Sequence, residues 1–331
     1  MKILFVWSGL TGYMGDCWRA LAKESGVELK VAVDTSGSLH GGRFEAASVM
    51  RELDWSDRLP PDGWMPDVVF TVGWRNALCR EAAIRRWSRH TRKVCCFDMP
   101  WEWRVRKIAA RFVLWRYLRR FDAAFVNGAS AATYARWLGF SGERLYTGLI
   151  ATNIRRFGPH VGGGGFLYVG RESPEKGLDV LRAAHARYRE RGGMWPLRIV
   201  NGVPPDALGE IYAAADCFVL ASRHEPWGVV LVEAAAAGLP IICTEACCAR
   251  HEVVKGNGIV VKADSVLELA EAMGKVERAG AWRSGGVREW RRGGAEERVD
   301  GELGRELAKP YSCEAWAERV LGICKKLTGD V

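Results

Sequence analysis

Short apolar runs alternate along most of this chain with stretches whose apolar positions recur at helical spacing. Such alternation marks parallel α/β architecture, in which strands buried on both faces read as continuous apolar runs and helices cover the sheet. In the first half it predicts strands over 3–7, 29–33, 68–72, 93–97, 123–126 and 145–147, with helices over 17–24, 76–87, 105–118 and 129–138. Residues 35–64, with scattered glycines and a Pro60-Pro61 stop, read as an irregular excursion. The pattern lapses through "FGPHVGGGG", whose proline and glycines mark a linker. It then restarts with strands over 166–169, 197–200, 217–221, 239–243 and 258–261 and helices over 177–190, 206–214, 229–237 and 265–276. Two Rossmann-like domains in tandem follow, 1–157 and 158–310. Within the second, 280–304 is rich in Gly, Arg and Glu without a period and reads as a loose surface connection or frayed helix. The last segment, 311–331, carries Trp316, Val320, Leu321 and Cys324 as a helical stripe that needs a surface to cover it.

A length of 331 residues agrees with two cores. Apolar residues at 48% and charged residues at 26% exclude disordered, collagen-like and repeat-array classes. Charge adds an asymmetry. Residues 1–155 hold 24 basic and 15 acidic side chains, while 156–331 hold 24 of each, so the whole net charge of +9 lies in the first half. Between Arg75 and Arg120 there are 14 basic and 3 acidic groups, which predicts an anionic partner for that half: a phosphorylated acceptor, a membrane surface or nucleic acid. The ten cysteines include no CxxC pair and no zinc spacing, so a metal centre is not expected, and reduced thiols point to a cytoplasmic protein. The apolar run at the N-terminus breaks into Gly9, Gly12 and Gly15, too short for a signal peptide or a membrane span, and reads as the first strand.

The most informative stretch is "SRHEPWGVVLVEAAAAGLP", residues 222–240. A strand ends, a Pro/Gly turn follows, and an Ala-rich helix opens near Gly228 or Val229 with its unsatisfied amides directed at the strand end. Those N–H groups and the helix dipole make a site for a diphosphate. Glu225 precedes the helix and Glu233 lies eight positions on, so both carboxylates can face one crevice, where they suit hydroxyls better than phosphate. Gly238 is placed to cap the helix and Pro240 to stop it. The second element is "GRESPEKG", residues 170–177, directly after the strand at 166–169. Arg171 and Lys176 sit there in a strand-to-helix loop, at the edge where α/β folds bind ligands, and can neutralise a diphosphate.

Together, Glu225-x7-Glu233, the EPWG turn, the GRESPEKG loop and the closing "YSCEAWAERV" helix resemble the family 4 retaining glycosyltransferases of the GT-B fold. The resemblance is close over 166–276 and 311–324 and looser over 1–155. It implies two Rossmann-like domains facing across a cleft, the first binding acceptor and the second donor, with the closing helix crossing back to the N-terminal domain. It also implies a retaining transfer from a UDP- or GDP-linked sugar, with the nucleotide-sugar as co-substrate, no cofactor and no metal. By residue, it assigns Glu225 to the donor-sugar hydroxyls as the catalytic group, Glu233 to the ribose, and Arg171 and Lys176 to the diphosphate, for which the helix start at Gly228 and Val229 is already the candidate anion site. On the same resemblance Gly9 and Gly12 belong to an N-domain loop that closes the donor or acceptor site, the alternative being a plain flexible turn. The acceptor the resemblance implies is a glycan or lipid-linked saccharide, as in cell-surface polysaccharide or lipopolysaccharide synthesis.

This chain departs from the family pattern in two places. Residues 194–216 are shorter than the usual pair of strands before the EPWG strand, which leaves the nucleobase open. Where the family commonly has a histidine after the fourth N-domain strand, this chain reads "CFDMPW", so Asp98 is the local candidate for touching a sugar. A GT-B epimerase or phosphorylase would use the same phosphate cleft with other partners. Nucleic-acid binding would leave the Glu pair unexplained and lacks the aromatic motifs of RNA readers, so no nucleic-acid partner is expected. In "WEWRVRKIAARFVLWRYLRR", residues 101–120, Trp101, Val105, Ile108, Phe112 and Trp115 share an imperfect stripe flanked by Arg104, Lys107 and Arg111. The expectation is that the aromatics face the core and the arginine flank meets an anionic lipid surface.

Overall fold

The computed structural model describes residues 1–35, 49–158, 160–279, 288–292, 295–299 and 301–329. The chain divides into two units, Met1–Thr152 with Tyr311–Val331, and Asn153–Pro310.

Unit one is built on seven strands: β1 (Lys2–Trp7), β2 (Glu28–Val33), β3 (Trp55–Ser56), β4 (Val68–Val72), β5 (Arg92–Phe97), β6 (Ala123–Val126) and β7 (Leu145–Thr147). Their order is β3-β2-β1-β4-β5-β6-β7 and every neighbouring pair is parallel. Ile3, Leu4, Phe5 and Val6 are all fully buried, so side chains on both faces of β1 are covered. The helices are α1 (Gly12–Ala22), α2 (Ala77–Ile84), α3 (Val105–Val113), α4 (Trp115–Leu118) and α5 (Gly128–Leu138). The closing helix, Cys313–Thr328, belongs to this unit. Ser312 caps it by accepting from the Ala315 amide at 3.1 Å. Its Trp316 is fully buried, 5.5 Å from the Phe5 ring, and the indole donates to the Leu149 carbonyl at 2.7 Å.

Unit two carries β8 (Phe166–Val169), β9 (Leu197–Val200), β10 (Cys217–Leu220), β11 (Ile241–Thr244) and β12 (Gly258–Val261), in the order β12-β11-β10-β8-β9, all parallel. Its helices are α6 (Leu178–Glu190), α7 (Leu208–Ala213), α8 (Val229–Ala236), α9 (Arg250–Val253), α10 (Val266–Arg278) and α11 (Gly301–Ala308). One strand, β9, lies in the short stretch after α6. The chain runs from β8 outward to β9 and returns past β8 to β10, so the connections diverge between β8 and β10. In open parallel sheets such a divergence, at the carboxyl ends of the strands, is where ligands bind.

Several expectations need correction. Helix α1 begins at Gly12, not near Cys17, so Gly12 and Gly15 are helical and only Gly9 lies in the loop after β1. The excursion 35–64 contains β3, an edge strand of two residues; its residues 36–48 lie outside the described residues. The region 280–304 is predicted to be a loose surface connection or a frayed helix. It holds an antiparallel pair, β13 (Arg288–Arg292) and β14 (Ala295–Val299), and the start of α11, while 280–287, 293–294 and 300 lie outside the described residues. The stretch 101–120 is two helices with a changed orientation. On α3 no residue is buried; Val105, Phe112 and Val113 are 82%, 68% and 77% exposed, and Trp115 is exposed on α4. Trp101 packs against the core as expected, joined by Ala110, Leu114 and Tyr117 in place of Val105, Phe112 and Trp115.

Candidate functional site

The site at the β8/β10 divergence is made of two loops. The first, 170–177, leaves β8. The Tyr168 hydroxyl donates to the Arg171 carbonyl at 2.8 Å, and burial, with Glu225 nearby, pushes that phenol well above its ordinary range. A short turn, Pro174–Lys176, brings the chain to Gly177, whose φ is +64°. A Cβ at Gly177 would lie 2.2 Å from the Ala221 carbonyl oxygen, so only glycine lets this loop close against the end of β10.

The second loop, 221–228, leaves β10. Glu225 is fixed by its backbone: its amide donates to the Ala246 carbonyl at 3.2 Å and its carbonyl accepts from the Cys248 amide at 3.1 Å. The loop ends at Gly228, φ +95°, the residue before α8. A Cβ there would approach the Glu225 Cγ to 3.0 Å, so glycine both supplies the left-handed turn and clears the space in front of the helix. The first amides of α8, beginning at Val229, therefore open onto the loop with no side chain at the cap. At its far end Gly238, φ +74°, turns the chain and Pro240 follows, as the sequence predicts.

Between the loops Lys176 Nζ donates to Glu225 Oε2 in an ion pair whose side chains are only 15% and 9% exposed. The Ser222 hydroxyl approaches the same oxygen at 3.5 Å. Arg171 lies further out, half-exposed, 3.5 Å from Glu175. Ser173 donates to Glu175 at 2.6 Å and holds that carboxylate below its usual range. Glu233, one to two turns into α8, is buried and takes a different partner. The Tyr212 hydroxyl of α7 donates to Glu233 Oε2 at 2.9 Å, and burial together with Glu233 drives the phenol far above its ordinary range. The sequence placed the two glutamates on one crevice; the structure gives each its own partner and orients each by it.

One residue escaped the sequence reading. Arg223 joins the loops: its guanidinium forks onto Asp179 at 2.6 and 2.8 Å, reaches Asp264 at 2.6 Å, and donates to the Pro174 carbonyl at 2.8 Å. Its amide donates to the Glu175 carbonyl. The hydrogen bonds from Arg223 hold the Asp179 carboxyl down to about 2. An arginine next to the EPWG turn looks like a solvated loop charge in sequence, because Asp179 and Asp264 lie 44 and 41 residues away.

The remaining candidates lie in unit one. Gly9, φ +143°, follows β1, which borders β4 where that sheet's connections diverge. Gly12 opens α1 and is not part of a loop. Asp98 follows β5, one strand beyond β4. Unit two therefore brings together Glu225, Lys176, Arg171, Gly228 and Val229, with Glu233 behind them on α8.

Residues 197–283 match the family model of the glycosyl transferases group 1, in agreement with the resemblance read from the sequence. Among curated relatives, a D-inositol 3-phosphate glycosyltransferase of Corynebacterium urealyticum is 30% identical over 101 residues, which is 30% of this chain and 24% of that protein. The chain thus matches about a quarter of that relative's length. Among solved structures, sucrose-phosphate synthase from Thermosynechococcus elongatus aligns with a TM-score of 0.68 at 16% identity, covering 100% of both chains. Anabaena HepE in complex with UDP aligns at 0.69 and 15% identity, covering 97% of this chain and 99% of that one. These likenesses establish the GT-B fold, two Rossmann-like α/β domains.

Proposed function

We propose that this chain is a family 4 retaining glycosyltransferase that moves a sugar from a UDP- or GDP-linked donor to a saccharide or lipid-linked acceptor, in cell-surface polysaccharide or lipopolysaccharide synthesis. The observation that carries the reading is the Lys176–Glu225 pair set in front of the Gly228-capped N-terminus of α8, at the switch point of the donor-type sheet. The family match over 197–283 supports it.

Chemically, the donor diphosphate lies against the α8 amides and Arg171, with Lys176 beside it. An ammonium has three donors, so Lys176 can keep Glu225 and still reach a phosphate oxygen. Glu225, held in place by that bond, is left to accept from hydroxyls of the donor sugar, and Glu233, steadied by Tyr212, to accept from the ribose. In the transfer, the bond from the anomeric carbon to the diphosphate oxygen breaks as the acceptor oxygen bonds to the same face of that carbon. The acceptor's proton passes to the departing diphosphate. The charge that develops on the diphosphate is met by Arg171, Lys176 and the helix N-terminus without a metal ion. Asp98 is our unit-one candidate for touching a sugar, and the loop at Gly9 our candidate for closing the site. The enzyme works in the cytoplasm, at the inner face of the membrane.

The test is a thermal-shift screen with UDP, GDP and ADP and their sugars, followed by product analysis by NMR. The expected result is selective stabilisation by one nucleotide, transfer with retention, and loss of transfer in Glu225→Gln with nucleotide stabilisation kept. Epimerised or phosphorolysed sugar as the product, or full transfer by Glu225→Gln, overturns it.

A further inference from the structure

Helix α3 is built inside out. At 100° per residue, Val105, Phe112 and Val113 fall in one band, and that band is exposed. Two of its three cations, Lys107 and Arg111, turn the other way, while Arg106 is exposed. Lys107 lies over the Tyr134 ring at 5.5 Å and reaches the Pro100 carbonyl at 2.5 Å; Arg111 lies over the Trp137 ring at 5.5 Å and donates to the Trp137 carbonyl at 3.0 Å. A helix that gives its apolar band to solvent and turns two cations onto aromatic rings, one of them also paired with Glu102 at 3.1 Å, has lost the usual gain from burial. Trp103, 84% exposed just before the helix, and Trp115, 49% exposed just after it, extend the apolar ridge.

Beside the ridge lies an open hollow of about 500 Å³, walled by Phe112, Trp115 and Phe140 and by three arginines, Arg111, Arg119 and Arg144. No acidic side chain lines it, and none of these three guanidiniums forms an ion pair among the described residues. Arg119 is laid over the Trp115 ring at 5.1 Å, and Arg144 is fixed by hydrogen bonds to the Asp122 and Phe121 carbonyls at 2.8 and 2.9 Å. Across 101–120 there are seven basic side chains and one acidic, Glu102. Three of the seven basic groups of 75–93 are engaged within the fold: Arg85 with Asp62 and the Pro60 carbonyl, Arg92 with Asp122 and the Leu327 carbonyl, and Lys93 with two carbonyls, where burial lowers its pKa.

We propose that the Trp103–Trp115 ridge and the arginine hollow beside it are a docking surface for an anionic phospholipid bilayer: the ridge enters the headgroup boundary and the hollow takes a lipid phosphate. The occupant follows from charge and shape. Exposed aromatics ringed by arginine and almost free of carboxylate match the interfacial zone of an anionic leaflet, whereas a second copy of this face would set like charges together. No helix among the described residues is long and apolar enough to cross a membrane, so the contact is a surface one. This inference gives a surface to the membrane location proposed above and rests on that location, but not on the transferase chemistry, because binding is measured without donor or acceptor.

The experiment is flotation of the full chain with phosphatidylglycerol/phosphatidylcholine vesicles and with pure phosphatidylcholine vesicles at 0.1 and 0.5 M salt. The expected result is binding to the anionic vesicles that falls at high salt and is absent on phosphatidylcholine. W103S/F112S is expected to weaken binding at least tenfold, and R116E/R119E to abolish it at 0.1 M salt, with melting temperatures unchanged because these side chains face solvent. Equal binding to neutral vesicles, no binding at all, or full binding by both folded variants overturns the proposal. So does a salt-insensitive dimer in sedimentation that F112S dissociates, since a second copy would then cover the ridge.

Discussion

Lys176→Ala tests whether the site is held together by its own charges. The substitution leaves the Glu225 carboxylate at 9% exposure with its ammonium gone, while the backbone bonds at 246 and 248 still pin it in place. Breaking a buried ion pair from one side costs about 3–5 kcal/mol, and the partial exposure of this pair places it near the lower end, about 3 kcal/mol. For a domain of this size each kcal/mol moves the melting temperature by about 2–4 °C, so unit two should melt roughly 6–12 °C lower. Removing both charges relieves the stranded carboxylate. K176A/E225A should therefore melt above K176A, with a coupling energy on the order of 2 kcal/mol in the double-mutant cycle. Scanning calorimetry with and without saturating nucleotide reads both the loss and its coupling to the ligand. A K176A melt within 2 °C of wild type, or a double variant whose loss equals the sum of the two singles, would refute the reasoning. It would mean that the pair contributes geometry without energy.

Two further outcomes follow from neighbours of the pair. Arg223→Ala frees Asp179, whose carboxyl should rise from about 2 toward the ordinary 3.9 in a carbon-detected NMR titration. Because the folded value is the lower one, Asp179 stabilises the fold above its unfolded value and this stabilisation is lost as pH falls from about 4 to 2, so the variant should show a shallower acid dependence over that window. Tyr212→Phe removes the hydroxyl that orients Glu233; it should weaken nucleotide binding by about tenfold in calorimetric titration but leave binding of a dideoxyribose nucleotide unchanged, and an equal loss for both ligands would separate Glu233 from the ribose.

Strands were the most legible part of the sequence, because a strand buried on both faces must be apolar throughout, and β4, β6 and β8 fall within the predicted bounds. Helix starts were less so. Gly12 and Gly15 look like loop residues until their place in α1 is seen, since glycine's local preference gives way to tertiary packing. The motif loops were readable as loops, but not the Lys176–Glu225 and Arg223–Asp179 bonds, whose partners stand 49 and 44 residues apart. In residues 101–120 the periodicity points Val105, Phe112 and Trp115 inward, whereas the fold turns them out. A stripe gives the phase of a helix, and only the aromatics of α5, to which Lys107 and Arg111 are drawn, decide which side turns in.

The return of Cys313–Thr328 to unit one has a consequence for the order in which the protein can be made. Unit two is one continuous stretch of chain and can close as soon as it leaves the ribosome. Unit one cannot: the indole that fills the space beside Phe5 and satisfies the Leu149 carbonyl is translated after all of 153–310. At about 5–20 residues per second, the first-made half waits roughly ten to thirty seconds for the piece that completes it. During that interval the surface around Phe5 and Trp18 is open to water and to other nascent chains. The half made first is thus the half finished last, and it is the one that would need a chaperone's protection during synthesis.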